Sequence, residues 1–126
     1  MPLICGVTFR GNNKVYQFRV DPGLELRIDD QVIVDTSRGD EMGRVVQMPQ
    51  EMEREQVPGD LKPVLRLATT VELLATERYR LQEDEAVAVC REKVRESGLP
   101  MKVVGGEYSY DGSRLTFYFA AEERVD

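Results

Sequence analysis

At 126 residues the chain has the length of one ordinary domain or two small lobes, and 41% hydrophobic with 32% charged residues fits a soluble globular protein. It holds no histidine and no tryptophan and carries a net charge of −6, which removes the usual general base near neutral pH and argues against a dedicated nucleic-acid clamp. No apolar run approaches the length of a bilayer span and no signal-peptide pattern opens the chain, so a cytoplasmic home is expected.

The first elements are strands. Residues 3–9 and 14–20 alternate apolar and polar side chains, with Gly11-Asn12-Asn13 between them and Asp21-Pro22-Gly23 after them, which reads as a β-hairpin. Residues 31–36 and 42–48 repeat the pattern around Arg38-Gly39-Asp40. A polar connector, 49–60, leads to a fifth short run at 62–67. Closely spaced short strands predict a small, highly curved barrel over residues 1–67, and the connections are too short for parallel βαβ units.

The chain then changes period. Thr69 and Glu72 form a capping box, and a helical pattern runs to Ser97, where Gly98 and Pro100 stop it. Leu74 and Leu81 lie two turns apart on one side, while Ala86, Val87, Cys90 and Val94 make an apolar stripe. Cys90 is expected in the core, and Glu83-Asp84-Glu85 on a solvated face. Residues 101–110 and 114–120 form a second hairpin around Asp111-Gly112-Ser113, with Leu115, Phe117 and Phe119 on one face as the partner of the helix stripe. The expected fold is α+β: a small curved β-barrel lobe at 1–67, then a long helix packed on a β-hairpin at 68–126, half of a ferredoxin-like arrangement.

Chemistry-bearing motifs are few. There is no phosphate loop, and consecutive acidic residues on a helix point apart, so no metal site is expected. Cys5 and Cys90 form no CxxC and read as small hydrophobes, not a disulfide. The polar candidates lie in the barrel lobe: Arg10, Lys14 and Arg19 in the first hairpin, Arg38 and Arg44 flanking the second turn, with Asn12, Asn13, Tyr16 and Gly39 adding hydrogen-bonding, stacking and close approach. Basic residues interleaved with an aromatic can track a phosphate backbone, so weak RNA contact is one expectation. The acidic net charge favours a second, a protein-interaction module without RNA contact. An enzyme is disfavoured by the missing histidine and the lack of a nucleophile constellation.

The strings GVTFR, KVYQF, VIVDTSRGDEMGRVV, LKPVLRLAT and CREKVRESGLPMKVVGGEYSYDGSRLTFYFAAEERVD, in that order, add a resemblance. The chain resembles the bacterial YaaT/RicT family, whose shared region is the polymerase-suppressor (PSP) C-terminal type of domain. The likeness spans nearly the whole chain and is most specific from Cys90 to Asp126, through Lys102, Tyr108, Asp111-Gly112, Thr116-Phe117-Tyr118-Phe119 and Arg124-Val125-Asp126. In the RGDEMG turn Arg38, Gly39, Glu41 and Gly43 match position by position, while Asp40 and Met42 depart, which adds Glu41 to the contact candidates.

The resemblance implies a non-enzymatic regulatory adaptor. Members of the family work with two small helical partner proteins in a complex that directs a membrane-bound endoribonuclease to particular transcripts, with effects on sporulation. Members usually continue past the Arg-Val-Asp string into a helix, a further strand and a cysteine-rich segment holding iron–sulfur clusters. The 126 residues stop at Asp126 with two cysteines, so no cofactor is expected in this chain, and the second lobe is expected to be truncated before a further helix. One helix on a two-stranded hairpin leaves apolar face uncovered, which predicts a homodimer.

Overall fold

The computed structural model describes residues 2–11 and 13–121. Asn12 and the Arg124-Val125-Asp126 string lie outside the described residues. Five strands, β1 (Leu3–Thr8), β2 (Tyr16–Val20), β3 (Gln31–Thr36), β4 (Gly39–Glu51) and β5 (Val64–Leu67), make one sheet in the order β2-β1-β4-β3-β5, each neighbour antiparallel. A 28-residue helix, α1 (Thr70–Ser97), and the hairpin β6 (Met101–Tyr108) and β7 (Leu115–Ala121) follow. The chain is therefore α+β, with a curled sheet followed by a helix on a hairpin. It divides into two compact units, Met1–Thr69 and Thr70–Asp126.

β4 organises the first unit. It runs 13 residues, well beyond the expected 42–48. Its first half pairs with β3, from Thr36 opposite Gly39 to Gln31 opposite Arg44, and its second half pairs with β1, from Thr8 opposite Arg44 to Leu3 opposite Glu51. That stagger tilts the strands and curls the sheet. Five antiparallel neighbours leave the two outer strands running the same way, so they can meet only in parallel. They do so at one bridge, Arg19 with Pro63, where the Arg19 N–H donates to the Lys62 carbonyl at 2.9 Å. Inside lie Cys5, Val7, Phe18, Val20, Leu26, Val32, Val34, Val45 and Val64, supplied by alternate positions of all five strands and the loop at Leu26. Burial pushes the Cys5 thiol up to about 11.

In the second unit α1 lies along β6. Arg91 Nε donates to the Val103 carbonyl at 3.2 Å, and the Tyr79 and Tyr108 rings stand 5.6 Å apart. The Tyr79 hydroxyl donates to the Asp111 carbonyl at 3.3 Å, clamping the hairpin turn. Asp111 accepts from the Ser113 hydroxyl and N–H and from the Ser109 hydroxyl, bonds that hold its carboxyl below the usual value. Gly98 takes φ 67°, the left-handed conformation expected past the helix end.

Three expectations need correction here. Glu83 is not solvated but 3% exposed, because it sits four residues before Val87 on the face turned to β6. Asp84 and Glu85 are exposed as expected. Cys90 is half-buried, since a two-stranded sheet is too narrow to cover the whole stripe. Phe119 remains 46% exposed for the same reason.

Gly43 is where β4 passes from one partner to the other, and a Cβ there would press into the Val7 side chain and stand 3.2 Å from the Thr8 carbonyl oxygen. Gly43→Ala is expected to destabilise the chain by about 1–3 kcal/mol in urea unfolding. Gly59→Ala, with nothing within 4 Å of its Cβ, serves as the neutral control. The two thiols are expected to react in sequence with a thiol reagent: Cys90 in the native state, Cys5 only as the protein unfolds.

Candidate functional site

β1 and β3 both run antiparallel to β4, so the β1–β2 loop and the β3–β4 tip emerge at the same end of the curled sheet. The loop is anchored by aromatic packing. Phe9 lies against Gly43, its ring 6.1 Å from Phe18 edge-on and 5.6 Å from Tyr16. Lys14 Nζ stands 5.2 Å from the centre of the Tyr16 ring, a cation–π contact. The Thr8 hydroxyl donates to the Lys14 carbonyl at 3.3 Å. A line of rings thus leads from the core to an exposed cation, with Arg10 and Asn13 exposed in the same loop.

The β3–β4 tip is equally defined. The Thr36 hydroxyl donates to the Gly39 carbonyl at 2.7 Å and accepts from the Arg38 N–H at 3.2 Å. Gly39 has φ 104°, a dihedral that favours glycine on the way back into the strand. The Arg38 guanidinium, at the exposed tip, pairs with Glu41 at 3.3 Å.

Arg10, Lys14, Tyr16, Arg38, Gly39 and Glu41 therefore share one end. Arg19 sits elsewhere, at the sheet closure, where its Nε donates to the Leu61 carbonyl at 2.8 Å and reinforces the backbone bridge. Arg44 lies on β4 opposite Thr8, level with the base of the β1–β2 loop, and pairs at 2.6 Å with Asp29, a residue held at φ 74°.

A groove of about 410 Å³ on the outer side of β1 and β4, lined by Ile4, Gln17, Gln47, Met48 and Met52 among others, had no signal in the local sequence pattern. Gly6 lies opposite Gln17 on one side and Gln47 on the other, and a Cβ at Gly6 would stand 2.8 Å from Gln47 Cβ. Neutral amides over an apolar floor offer hydrogen bonds without charge. Among the described residues no group of three or more Cys, Asp or Glu is placed to hold a metal ion.

This is an α+β chain whose first unit gathers a cation on an aromatic stack at one sheet end. It belongs to the PSP1 family: residues 62–126, from the sheet closure through β7, match the PSP1 C-terminal conserved region. Over 124 residues it is 38% identical to the Stage 0 sporulation protein YaaT of Bacillus subtilis, covering 98% of this chain and 44% of that protein. It is also 32% identical over 130 residues to an uncharacterized protein of Schizosaccharomyces pombe, covering 82% of this chain and 17% of the relative. The chain thus spans less than half the length of these relatives. No solved structure matches it. Among the described residues no helix is long and apolar enough to cross a membrane.

The different positions of Arg19 and Lys14 predict different consequences of truncation. Arg19→Ala is expected to lower stability by about 1 kcal/mol through the lost bond to Leu61. Lys14→Ala should leave the urea midpoint unchanged.

Proposed function

We propose that the chain is a non-enzymatic regulatory adaptor that contacts RNA through the β1–β2 loop and the β3–β4 tip. In this reading it works in the cytoplasm within a complex of small helical proteins that directs an endoribonuclease to messenger RNA. The observation that carries the RNA contact is Lys14 seated on the Tyr16 ring, with Arg10 in the same loop and Arg38 at the same end. Phosphates would meet the cations, and an unstacked base would find an aromatic face. The similarity to a sporulation protein supports the regulatory half of the reading.

An iron–sulfur cluster is no part of this proposal. One cluster usually takes four thiolates, and of the two cysteines here Cys5 is a core residue whose thiol burial pushes up to about 11. A second reading, a protein-binding module without RNA contact, is favoured by the net charge of −6 and by the carboxylate partners of Arg38 and Arg44.

Fluorescence anisotropy with a short single-stranded RNA separates the two. Binding should weaken steeply from about 50 to 200 mM salt. Replacing Arg10, Lys14 and Arg38 with Glu should abolish it and, where residual binding is measurable, flatten the logarithmic salt slope by about 2. Binding left unchanged, in affinity and salt slope, by the triple replacement rules this surface out. Failure of the unaltered chain to bind RNA, with capture of a protein partner instead, favours the second reading.

A further inference from the structure

The curled sheet of the first unit has an inner face, and the strand register decides which site residues belong to it. Val7, Val32, Val34 and Val45 point into the core. Tyr16 stands opposite Val7, Gly43 opposite Val32 and Glu41 opposite Val34. Residues opposite one another on neighbouring strands share a face, so Tyr16, Gly43 and Glu41 belong to the inner one. Phe9, two residues beyond Val7, packs against the same core, its ring 3.1 Å from where a Cβ on Gly43 would stand. Glycine at 43 therefore admits the Phe9 ring to a position two residues, about 7 Å, from Glu41 along the strand. The Tyr16 ring lies 5.6 Å from that of Phe9. Phe9, Tyr16 and Glu41 are each half-buried, so two rings and a carboxylate line the inner face at the end where the loop and the tip emerge.

A carboxylate opposes phosphate, so attraction to an RNA backbone does not account for Glu41. Its side chain is 22% exposed while that of Arg38, its ion-pair partner, is 72% exposed. The carboxylate is the covered member of the pair and the guanidinium the accessible one. An ionised carboxylate only accepts hydrogen bonds, through two oxygens side by side. Guanine alone among the four RNA bases sets two donors side by side on its Watson–Crick edge, N1–H and the N2 amino group. Adenine and cytosine place a ring-nitrogen acceptor beside their amino donor, and uracil flanks its N3–H with two carbonyls. Unpaired RNA bases are read on these edges while they stack on aromatic rings.

We propose that this end of the sheet selects guanine in single-stranded RNA, an inference that rests on the RNA contact proposed above. The base stacks on the Tyr16 ring, and Glu41 accepts from its N1–H and N2 amino group. Arg38 and Lys14 exchange the carboxylate and the ring for the flanking phosphates. Glu41 thus supplies discrimination, and the cations supply attraction.

Fluorescence anisotropy with oligouridine probes of equal length, carrying G, A, C, U or inosine at the centre, tests this. The guanine probe should bind at least about tenfold more tightly than the all-uridine probe. Inosine, which keeps N1–H and lacks the N2 amino group, should lose most of that advantage. Glu41→Gln should reduce the preference to within about twofold while tightening all-uridine binding, since a negative charge leaves the site. Asp40→Asn removes the same charge one residue away, on the outer face opposite Asp35, and should tighten every probe alike with the preference intact. Equal binding of the guanine and all-uridine probes, inosine equal to guanine, or a preference that survives Glu41→Gln would each overturn the guanine assignment and leave the RNA surface standing. Binding of none of the probes would overturn both.

Discussion

Val45 has a neighbour on both flanks, and the first unit depends on it. On one side it faces Val7 of β1; on the other its N–H donates to the Asp30 carbonyl at 2.9 Å while its carbonyl accepts from the Asp29 N–H at 2.8 Å. It is the residue at which β4 has just left β3 and taken up β1. Its side chain is fully buried in the core. A strand that serves two partners in succession must be long, and it needs a glycine where the neighbours crowd it, which is Gly43.

The candidate site inherits its geometry from that arrangement. Because β1 and β3 both run antiparallel to β4, the connections that follow them leave the sheet at one end, and residues as far apart in sequence as Arg10 and Glu41 come to share it. The aromatic line Phe18–Phe9–Tyr16 gives the loop a rigid base, so the Lys14 cation is presented rather than trailing in solvent. The second unit follows a separate logic. There the Tyr79 ring against Tyr108 and the turn at Asp111 fix where the hairpin sits along the helix.

Much of this was legible in the sequence, for local reasons. Alternation bounded by turn residues located the strands, and Gly98 with Pro100 located the helix end. Asp111-Gly112 located the second hairpin turn. What was illegible depends on distant partners. The extent of β4 was hidden because Pro49, Gln50 and Glu51 read as the start of a polar connector, while pairing with β1 keeps the strand going. Glu83 read as solvated because it sits in an acidic triplet, although helical phase places it with Val87. Arg19 read as a contact candidate alongside Arg10 and Lys14, yet its Nε is bonded to the Leu61 carbonyl, 42 residues away. Only the fold could separate it from Arg10 and Lys14.

The most direct test of the central claim is a two-dimensional amide NMR titration of the isotope-labelled chain with a short single-stranded RNA. The account predicts shifts confined to the loop from Phe9 to Tyr16 and the tip from Thr36 to Glu41, reversing as salt is raised. Shifts centred on the α1–β6–β7 unit, or none at all, would contradict it.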